Sequence, residues 1–327
     1  MTVLTFHPQN NRWETETVPQ KPCRGCAAAL GNFDGVHVGH RALLRESVRF
    51  AEENSLIPAV WTFSALPFPE KNKQLCTSGE RLALFAQAGI RRVFLEDFSA
   101  VRGIQPQEFV TRILRGACRA EMIVCGFNYR FGADAAGTPE TLSALLSGTG
   151  TALSVLPPVN SGESVVSSTR IRALLQKGSM EEAAACLGRL YSFCLPVVHG
   201  KELGRTLGFP TVNQELPATL ALPAPGTYAT AVILGGIPYP AVTNIGTRPS
   251  IAENDDHLPN AETHIIGYSG WLYGTDVRVY FRYRLRDERH FPTLSALEEQ
   301  IHHDSAASVS GFSKESVCPF PETDVLW

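Results

Sequence analysis

Residues 27–53 read AAALGNFDGVHVGHRALLRESVRFAEE, and this stretch decides how the first half of the chain folds. An apolar run of alanine and leucine comes first, a glycine-rich segment follows, and apolar side chains then recur at helical spacing. This order predicts a buried strand, a tight turn and an amphipathic helix. Two histidines, His37 and His40, stand three positions apart where the helix is expected to begin.

The glycine-rich turn between strand and helix has the features of a phosphate site. Glycines let backbone N–H groups approach a ligand closely, and the start of a helix offers unpaired N–H groups and a positive dipole end. Two imidazoles at that point can donate hydrogen bonds to phosphate oxygens as charge develops in a transition state. The residues alone leave two alternatives open. One is a structural strand–turn–helix junction, and the other is a zinc-binding histidine pair, although no HExxH pattern or cysteine cluster accompanies it.

The rest of the first half repeats this alternation of strands and helices. Strands are predicted at residues 27–33, 57–63, 91–96, 120–127 and 152–157, and helices near residues 40–53, 79–88, 105–116 and 169–176. Such alternation predicts a parallel sheet with crossover helices on its faces. Ligands of such sheets bind beyond the carboxyl ends of the strands, which is where the segment with His37 and His40 begins.

The second half has mostly strand patterns after a bridging helical segment at residues 179–191. Strands are predicted at residues 191–200, 226–236, 239–246, 262–270 and 275–285, and a final helix at residues 293–304. Antiparallel strands of this kind predict a closed or nearly closed barrel. In the last strand, strict alternation predicts one buried face and one solvated face, and the solvated face carries Arg278, Arg282 and Arg284.

These patterns predict an α/β plus β architecture with two domains and a tail. The expected limits are a parallel-sheet domain over residues 1–186, an antiparallel barrel with a C-terminal helix over residues 187–307, and a tail over residues 308–327. A chain of 327 residues has room for roughly two domains of the usual size.

Composition and charge limit the classes of protein to which the chain can belong. The formal net charge of −3 gives no general bias toward nucleic acid or acidic membranes. No apolar run approaches the roughly 20 residues that span a bilayer, and the N-terminus lacks the pattern of a secretory signal. The eight cysteines are scattered, with Cys23 and Cys26 as a lone CxxC. We expect a cytoplasmic protein with reduced structural thiols, a redox or metal role being the alternative.

Three segments of the first half resemble the nucleotidyltransferase superfamily. GNFDGVHVGH, residues 31–40, is similar to the HxGH signature in the form that bacterial FAD synthetases have. VSSTRIR, residues 166–172, resembles the second signature, ISSTxxR, and GFNYRFG, residues 126–132, resembles the family's G-x-N/D-F/Y-x-F-G segment. The resemblance implies a doubly wound parallel-sheet domain that transfers the adenylyl group of ATP to FMN, producing FAD and pyrophosphate.

The same resemblance implies roles for particular residues. His37 and His40 are implied to be catalytic, contacting the ATP phosphates and stabilising the transition state at the α-phosphoryl group. The residues implied to bind ATP are Gly31, Phe33, Asp34, Gly35, His37, His40, Ser168, Thr169 and Arg172. Asn128 and Phe63 are implied to bind FMN or its phosphate. No protein nucleophile is needed, because transfer of this kind depends on positioning and charge stabilisation.

One segment departs from the family pattern. Family members commonly read TFxPHP after the second strand, whereas residues 62–69 here read TFSALPFP and lack the histidine. The segment lies near the flavin in the family, so the binding or positioning of FMN could differ. This departure motivates an alternative, a protein whose adenylyltransferase domain is weakened or inactive.

A second glycine-rich stretch, HGKELGRTLGFPTVN at residues 199–213, follows the first predicted barrel strand. Such a loop can cover nucleotide phosphates with backbone N–H groups, and Thr211 and Asn213 can both face a Mg²⁺ ion, which prefers oxygen ligands. Glu262 begins an apolar strand and can act as a general base. The alternatives are a long turn with capping side chains and a solvated carboxylate.

These segments resemble the riboflavin kinase family. GRTLGFPTVN is similar to that family's GRxLGFPTAN loop, and VTNIGTRPS, residues 242–250, to its NIGxRPT segment, while AETH, LYG and RDERHF also match. The resemblance implies that Thr211 and Asn213 bind Mg²⁺–ATP and that Glu262 activates the ribityl 5′-hydroxyl of riboflavin. It also implies that Arg286 contacts the flavin or closes the site. The loop residues implied to cover ATP are Gly200, Lys201, Gly204 and Gly208.

Together the two resemblances predict a bifunctional riboflavin kinase and FAD synthetase. Its expected substrates and products are riboflavin, FMN, ATP and FAD, with Mg²⁺ as the metal. We expect no nucleic-acid or membrane partner and at most weak homo-oligomers. A rival from another class is a flavin- or nucleotide-binding regulator without turnover.

Overall fold

The structure of this chain, a computed structural model, describes residues 1–7, 9, 11–15, 25–67, 73–199, 209–247 and 259–312. It has two units, the first running from Met1 to Ser167 and the second beginning at Ser168. Among the described residues, no helix combines the length and the apolar character that crossing a bilayer requires.

The first unit is built on a seven-stranded sheet. Its strands are β1 (Thr2–His7), β2 (Arg12–Thr15), β3 (Cys26–Leu30), β4 (Ile57–Phe63), β5 (Arg92–Glu96), β6 (Ala120–Gly126) and β7 (Ala152–Leu156). The strand order is β2-β1-β5-β4-β3-β6-β7. The five strands from β5 to β7 in this order are parallel, which confirms the predicted parallel sheet. The sequence analysis missed β1 and β2, a hairpin that extends the sheet antiparallel beside β5.

The helices of this unit follow the strands as crossovers. They are α1 (Val38–Glu53), α2 (Ser78–Gln87), α3 (Phe98–Val101), α4 (Pro106–Glu108) and α5 (Pro139–Leu146). The segment after α4, Phe109–Ala117, is a π-helix. The unit also contains two short 3₁₀ turns, Asp34–Val36 and Ala133–Ala135. It ends in a small hairpin whose strands, β8 (Asn160–Ser161) and β9 (Ser164–Val165), have two residues each.

Strand β3 is the centre of the first unit and places its ligand-binding edge. All five of its residues are buried, as expected of a parallel strand covered by helices on both faces. Its neighbours are β4 on one side and β6 on the other, so the strand order reverses direction at β3. Such a switch point opens a crevice at the carboxyl ends of the strands. The segment with His37 and His40 begins at this point.

The second unit contains an antiparallel barrel. Its elements are α6 (Ser168–Lys177), α7 (Met180–Leu187), β10 (Tyr191–Pro196), β11 (Thr211–Glu215), β12 (Gly226–Leu234), β13 (Ile237–Thr247), β14 (Pro259–Ile265), β15 (Asp276–Arg286) and α8 (Leu294–Ser310). The order β10-β15-β12-β13-β14-β11 is antiparallel throughout. In the described part of the chain, an isolated bridge links Val198, after β10, to β11, where the N–H of Val198 donates to the carbonyl of Asn213 at 2.8 Å. The predicted barrel with a C-terminal helix is confirmed.

Helices α6 and α7 belong to the unit that contains the barrel. The N–H of Ala224, ahead of β12, donates to the carbonyl of Leu175 in α6 at 2.9 Å. The sequence analysis drew the domain limit after residue 186 instead, and its limits at 186 and 307 stay a prediction.

The barrel interior combines aromatic side chains with a few polar ones that donate hydrogen bonds to strand carbonyls. Tyr191, Phe193 and Tyr228 each lie within 6 Å of the ring of Phe281, measured between ring centroids. The fully buried amide of Gln214 donates to the carbonyls of Leu195 at 2.6 Å and Val277 at 2.8 Å. This side chain therefore ties three strands together from within the barrel.

The prediction that Arg282 lies on a solvated face of β15 is wrong, because only 8% of this residue is exposed. Its guanidinium donates to the carbonyl of Ser308 at 2.8 Å and to that of Gly311, at the carboxyl end of α8. It also lies over the rings of Tyr283 and Phe312. Burial lowers the pKa of Arg282. The end of α8 covers this face of the strand, and alternation along one strand cannot predict a later helix that packs on it.

Six of the cysteines lie within the described residues and are free thiols. Cys26 donates to the carbonyl of Cys118 at 3.1 Å, and burial raises the pKa of Cys26 to about 12. The other cysteine of the CxxC pair, Cys23, lies outside the described residues. Within the described part of the chain, no group of three or more His, Cys, Asp and Glu side chains is arranged to hold a metal.

The buried contacts of Arg282 predict a measurable contribution to stability. We expect Arg282→Met to lower the free energy of unfolding by about 2 kcal/mol, because the carbonyls at the end of α8 lose a charged donor. Urea unfolding followed by circular dichroism measures the effect. Arg278→Met on the same strand is the control, with an expected loss below about 1 kcal/mol. Equal losses in the two variants would contradict the structural role of Arg282.

Two candidate active sites

The turn after β3 reverses the chain within a few residues. The N–H of Gly31 donates to the carbonyl of Trp61 at 3.3 Å, which fixes the start of the turn against β4. Phe33, Gly35 and Val36 then have positive φ angles of 53°, 75° and 39°. Only glycine takes such angles freely, and at Phe33 and Val36 the backbone is strained. Strain of this kind is maintained where the surrounding structure requires one conformation, often at functional sites.

His37 caps the N-terminus of α1. Its Nδ1 accepts a hydrogen bond from the backbone N–H of His40 at 3.2 Å, a role that serine, threonine or aspartate more often fills. Because Nδ1 acts as the acceptor, the neutral ring carries its proton on Nε2. His37 can therefore present one fixed N–H donor at the end of a helix that favours anions.

His40 lies directly against His37. The two imidazole rings stack with centroids 3.6 Å apart and planes 14° from parallel. Burial, and then the neighbouring His37 and Arg81, hold the pKa of His40 well below its usual value. The buried Nδ1 of His40 has no hydrogen-bond partner among the described residues. The two histidines thus form one unit, with His40 uncharged near neutral pH.

Two buried side chains, those of Asp34 and Arg81, hold the turn after β3 in place through hydrogen bonds. The Asp34 carboxylate accepts from the N–H of Leu75 at 2.8 Å. The Arg81 guanidinium, 5% exposed, donates to the carbonyls of Asn32 at 3.1 Å and Phe63 at 2.7 Å. Burial lowers the pKa of Arg81. Arg81 thereby joins the turn after β3 to the carboxyl end of β4.

Not all side chains predicted to bind ATP are accessible. Phe33 is fully buried, and its ring packs against those of His40 and Phe85. Asp34 is 4% exposed and already bonded to Leu75. Contacts of these two residues with a ligand are consequently limited to their backbone atoms.

The predicted flavin residues lie at the carboxyl ends of strands next to β3. Phe63 ends β4 and makes edge-to-face contacts with Trp61 and Phe98. Asn128 is exposed in the turn that follows β6. The structure thus places Phe63 at the carboxyl end of β4, and His37 and Asn128 beyond the carboxyl ends of the adjacent strands β3 and β6. The altered TFSALPFP segment is described only to Pro67, and residues 68–72 lie outside the described residues.

The second signature falls at the start of α6. Ser168, Thr169 and Arg172 lie in the first turns of this helix, with Thr169 exposed and the other two half-buried. They open the second unit. Their predicted contacts with ATP stay a prediction.

The second candidate site is a cavity of about 560 Å³ outside the barrel, between its strands and α8. A cavity of this volume suits a small organic ligand. Its lining includes Thr211, Glu262 and Arg286 from the predicted set. The rest of the lining comes from the segment 288–294 and from the α8 residues Leu297, Ile301 and Asp304.

A row of polar residues crosses five strands at this cavity. In the strand register, Glu262 of β14 lies directly opposite both Asn213 of β11 and Asn244 of β13. Asn244 in turn lies opposite Thr227 of β12, and Thr227 opposite Arg286 of β15. Residues that are directly opposite share a face of the sheet. The Thr227 hydroxyl donates to Oδ1 of Asn244 at 3.2 Å, which fixes the orientation of that amide.

Glu262 is exposed, and its Oε1 accepts a hydrogen bond from Nδ2 of Asn260 at 3.2 Å. Thr211 lines the cavity two residues before Asn213, which is 6% exposed. His264 lies directly opposite Thr211, and its Nδ1 is 3.0 Å from the carbonyl oxygen of Pro210. The predicted oxygen donors therefore lie on one face around Glu262.

Arg286 is held in the wall of the cavity by α8. Its Nε is 3.0 Å from Oδ2 of Asp304, which is 3% exposed and also accepts from Gln300 at 2.8 Å. Its guanidinium carbon lies 5.5 Å from the ring centroid of Phe291. The loop residues Gly200, Lys201, Gly204 and Gly208 lie outside the described residues.

The sequence analysis missed four residues that form these sites. Arg81 could have been found as a charge four positions before Phe85, on the apolar face of its helix. Asn260 could have been found by the period of two, which places it on the same strand face as Glu262. Asp304 and His264 carry no comparable sequence signal, because their partners come from distant segments.

Comparison with known proteins gives the same two-part division. The FAD synthetase family matches residues 19–170, and the riboflavin kinase family matches residues 187–310. Three curated relatives are named bifunctional riboflavin kinase/FMN adenylyltransferase. They come from Bacillus subtilis at 31% identity, Pseudomonas fluorescens at 34% and Escherichia coli (strain K12) at 33%, each match covering 87% of this chain and 92% of the relative.

A solved structure described as a macrolide-efflux protein from Streptococcus pneumoniae is also similar. It aligns with a TM-score of 0.80 and 29% identity, covering 90% of this chain and 97% of that one. The two chains therefore share their fold over nearly their whole length.

The lowered pKa of His40 predicts a pH dependence of stability. As the pH falls below about 6.5, the unfolded chain takes up a proton that folded His40 resists, so the free energy of unfolding decreases by up to about 1.4 kcal/mol per pH unit. We expect His40→Gln to lose less stability than the parent between pH 7 and pH 5. Urea unfolding at several pH values measures this slope. His303→Gln, at an exposed position of α8, is the control and keeps the parent's slope.

Proposed function

The chain belongs to the family of bifunctional riboflavin kinase/FMN adenylyltransferases, and from this membership we propose how its residues divide two reactions between two sites. The enzyme phosphorylates riboflavin to FMN with ATP and adenylylates FMN to FAD with release of pyrophosphate. We assign the first reaction to the cavity beside the barrel and the second to the turn after β3.

For adenylyl transfer, we assign His37 and His40 to the α-phosphoryl group of ATP. Nδ1 of His37 accepts from the N–H of His40, so we assign the Nε2–H of the neutral ring as the donor to a phosphate oxygen, and the start of α1 adds a positive dipole end. The phosphate of FMN is itself the nucleophile, so the protein needs only to position it and to stabilise charge. On the ATP side we assign Gly31, Phe33, Asp34, Gly35, Ser168, Thr169 and Arg172, and on the FMN side Asn128 and Phe63.

For riboflavin phosphorylation, we assign Glu262 as the general base. The observation that carries this assignment is the position of its carboxylate on the cavity wall, in one row with Asn213 and Asn244. Glu262 accepts the proton of the ribityl hydroxyl, whose oxygen attacks the γ-phosphorus of ATP. We assign Arg286, which Asp304 holds in the cavity lining, to contact with the flavin. We assign the loop with Gly200, Lys201, Gly204 and Gly208 to the phosphates of ATP.

The residues of the kinase site fit Mg²⁺. The Thr211 hydroxyl, the Asn213 amide oxygen and the Glu262 carboxylate are oxygen donors on one face of two paired strands. Mg²⁺ prefers oxygen ligands and is usually held through few protein groups together with phosphates and water. We propose that Thr211 and Asn213 hold the ion, which when bound offsets charge that develops on the phosphates.

We propose that the enzyme works in the cytoplasm on small molecules alone. The net charge of −3 gives no general bias toward nucleic acid, and a weak homo-oligomer is kept as a possible assembly from the sequence analysis. The rival assignments, a kinase with a weakened adenylyltransferase domain and a non-catalytic regulator, are separated from the proposal by assays of the two reactions.

Single substitutions separate the two sites. We expect His37→Ala to lower FAD formation from FMN and ATP about 100-fold and to leave riboflavin phosphorylation near normal. Glu262→Gln should do the reverse, lowering FMN formation about 100-fold. Chromatography of the flavin products measures both reactions. Equal loss of both activities in either variant contradicts the two-site assignment. Parent protein that forms no FAD above a no-enzyme control contradicts the bifunctional assignment.

Metal removal tests the assignment of Mg²⁺. We expect EDTA to abolish FMN formation and added MgCl₂ to restore it, whereas Asn213→Leu should need a higher MgCl₂ concentration for half-maximal rate. Riboflavin binding without nucleotide, followed by fluorescence quenching, is the control and should be unaffected by EDTA. A kinase rate that is unchanged in EDTA would sink the metal assignment.

A further inference from the structure

The carboxylate of Glu262 is exposed on β14, and a hydrogen bond holds one of its oxygens, Oε1. Within the described residues, the donor placed on it is Nδ2 of Asn260, 3.2 Å from Oε1. The terminal torsion of a glutamate is broad and roughly two-fold, so an exposed carboxylate without a donor rotates freely. A single well-placed amide is therefore enough to select one orientation.

Asn260 is well suited to hold that orientation. It lies two residues before Glu262 on the same strand, so both side chains project from the same face. Asn260 is only 5% exposed, whereas Glu262 is exposed. A short, buried side chain has few rotamers available, and it can fix a longer and more mobile neighbour. The bond is also charge-assisted, which makes it stronger than a bond between neutral groups.

The surroundings of this pair contain a second carboxylate. Gly246 lies directly opposite Asn260 in β13, and a Cβ atom there would come within 2.5 Å of Oε1 of Glu288. The same Cβ would lie 3.3 Å from Nδ2 of Asn244. The absent side chain of Gly246 thus leaves room for Glu288 beside the row of amides. Because the Glu288 carboxylate repels that of Glu262, a donor that holds the Glu262 carboxylate in one orientation is more important here.

We propose that Asn260 is a positioning residue for riboflavin phosphorylation, holding Oε1 of Glu262 so that Oε2 is left to accept the proton of the ribityl hydroxyl. The inference rests on the proposed role of Glu262 as the base. In the step that it supports, the hydroxyl proton passes to Oε2 and the ribityl oxygen forms a bond to the γ-phosphorus. The bond from that phosphorus to the bridging oxygen breaks, and ADP leaves with the electron pair.

The first test replaces Asn260 by leucine, which has a similar volume and no donor. We expect kcat for riboflavin phosphorylation to fall about tenfold, the effect of about 1.4 kcal/mol in transition-state stabilisation, while KM for riboflavin changes less than about threefold. Asn260→Asp keeps the shape and replaces the donor with a further carboxylate close to Glu262, so its kcat should fall further. Riboflavin binding by fluorescence quenching shows whether each variant keeps a folded site.

A double-mutant cycle separates positioning from a general structural effect. If Asn260 acts through Glu262, Asn260→Leu should lower kcat about tenfold in the parent and less than about twofold when Glu262 is already glutamine. Gln214→Leu is the matched control, because it also removes a buried amide and its residue lies opposite Ala261, between Asn260 and Glu262 in sequence. Gln214 faces the barrel interior, so its loss should lower the unfolding midpoint and leave kcat of the folded enzyme unchanged.

Three outcomes overturn the inference. One is an unchanged kcat in both Asn260 variants that still bind riboflavin. Another is a tenfold loss that persists in the Glu262→Gln background, and the third is an equal loss of kcat in Gln214→Leu. If Glu262→Gln itself keeps full kinase activity, the proposed base is wrong. That result is distinct from a failure of the Asn260 inference, in which Glu262→Gln is inactive but Asn260→Leu is not impaired.

Discussion

Strand register is the constraint on which both sites depend. In the barrel, antiparallel register places Asn213, Glu262 and Asn244 side by side on three strands, although they are far apart in sequence. In the first unit, parallel register aligns the carboxyl ends of β4, β3 and β6, so that Phe63, His37 and Asn128 lie at or just beyond the ends of three neighbouring strands. A slip of one residue would move each of these barrel side chains to the opposite face of the sheet. The buried interiors therefore secure the positions of the exposed site residues.

Much of the fold could be predicted from the sequence, because its main patterns are strong and local. The strand–turn–helix at residues 27–53 and the alternation that follows it correctly indicated the parallel sheet. The failures share a physical cause. The first hairpin, β1 and β2, is short and pairs only at the sheet edge. Arg282 is buried because α8, which follows it in the chain, ends on top of it. Neither the edge pairing of β1 and β2 nor the packing of α8 on Arg282 leaves a periodic signal in the sequence of these strands.

The residues of the candidate sites also fall into two groups, those that the sequence predicted and those that it did not. Motifs supplied His37, His40, Thr211 and Glu262, but the groups that hold them come from contacts made only in the folded chain. Arg81 donates to two carbonyls that lie 49 and 18 residues before it in sequence. Asp304 holds Arg286 from α8, and Asn260 holds Glu262 from the same strand. Of these three, only Asn260 has a spacing that predicts its contact, since period two puts it on the face of Glu262.

The proposed assignments also explain why the two sites differ in chemistry. Riboflavin presents a neutral alcohol, which becomes a good nucleophile only when a base removes its proton, and the kinase site offers the carboxylate of Glu262 for this purpose. FMN presents a phosphate that is already ionised, so a base would add nothing at the other site. What that site must offer is hydrogen-bond donation to the charge that develops on ATP. A helix start capped by His37 does this without a negative charge that would repel the phosphates, and His40, which stacks on His37 and has a lowered pKa, keeps the pair compact.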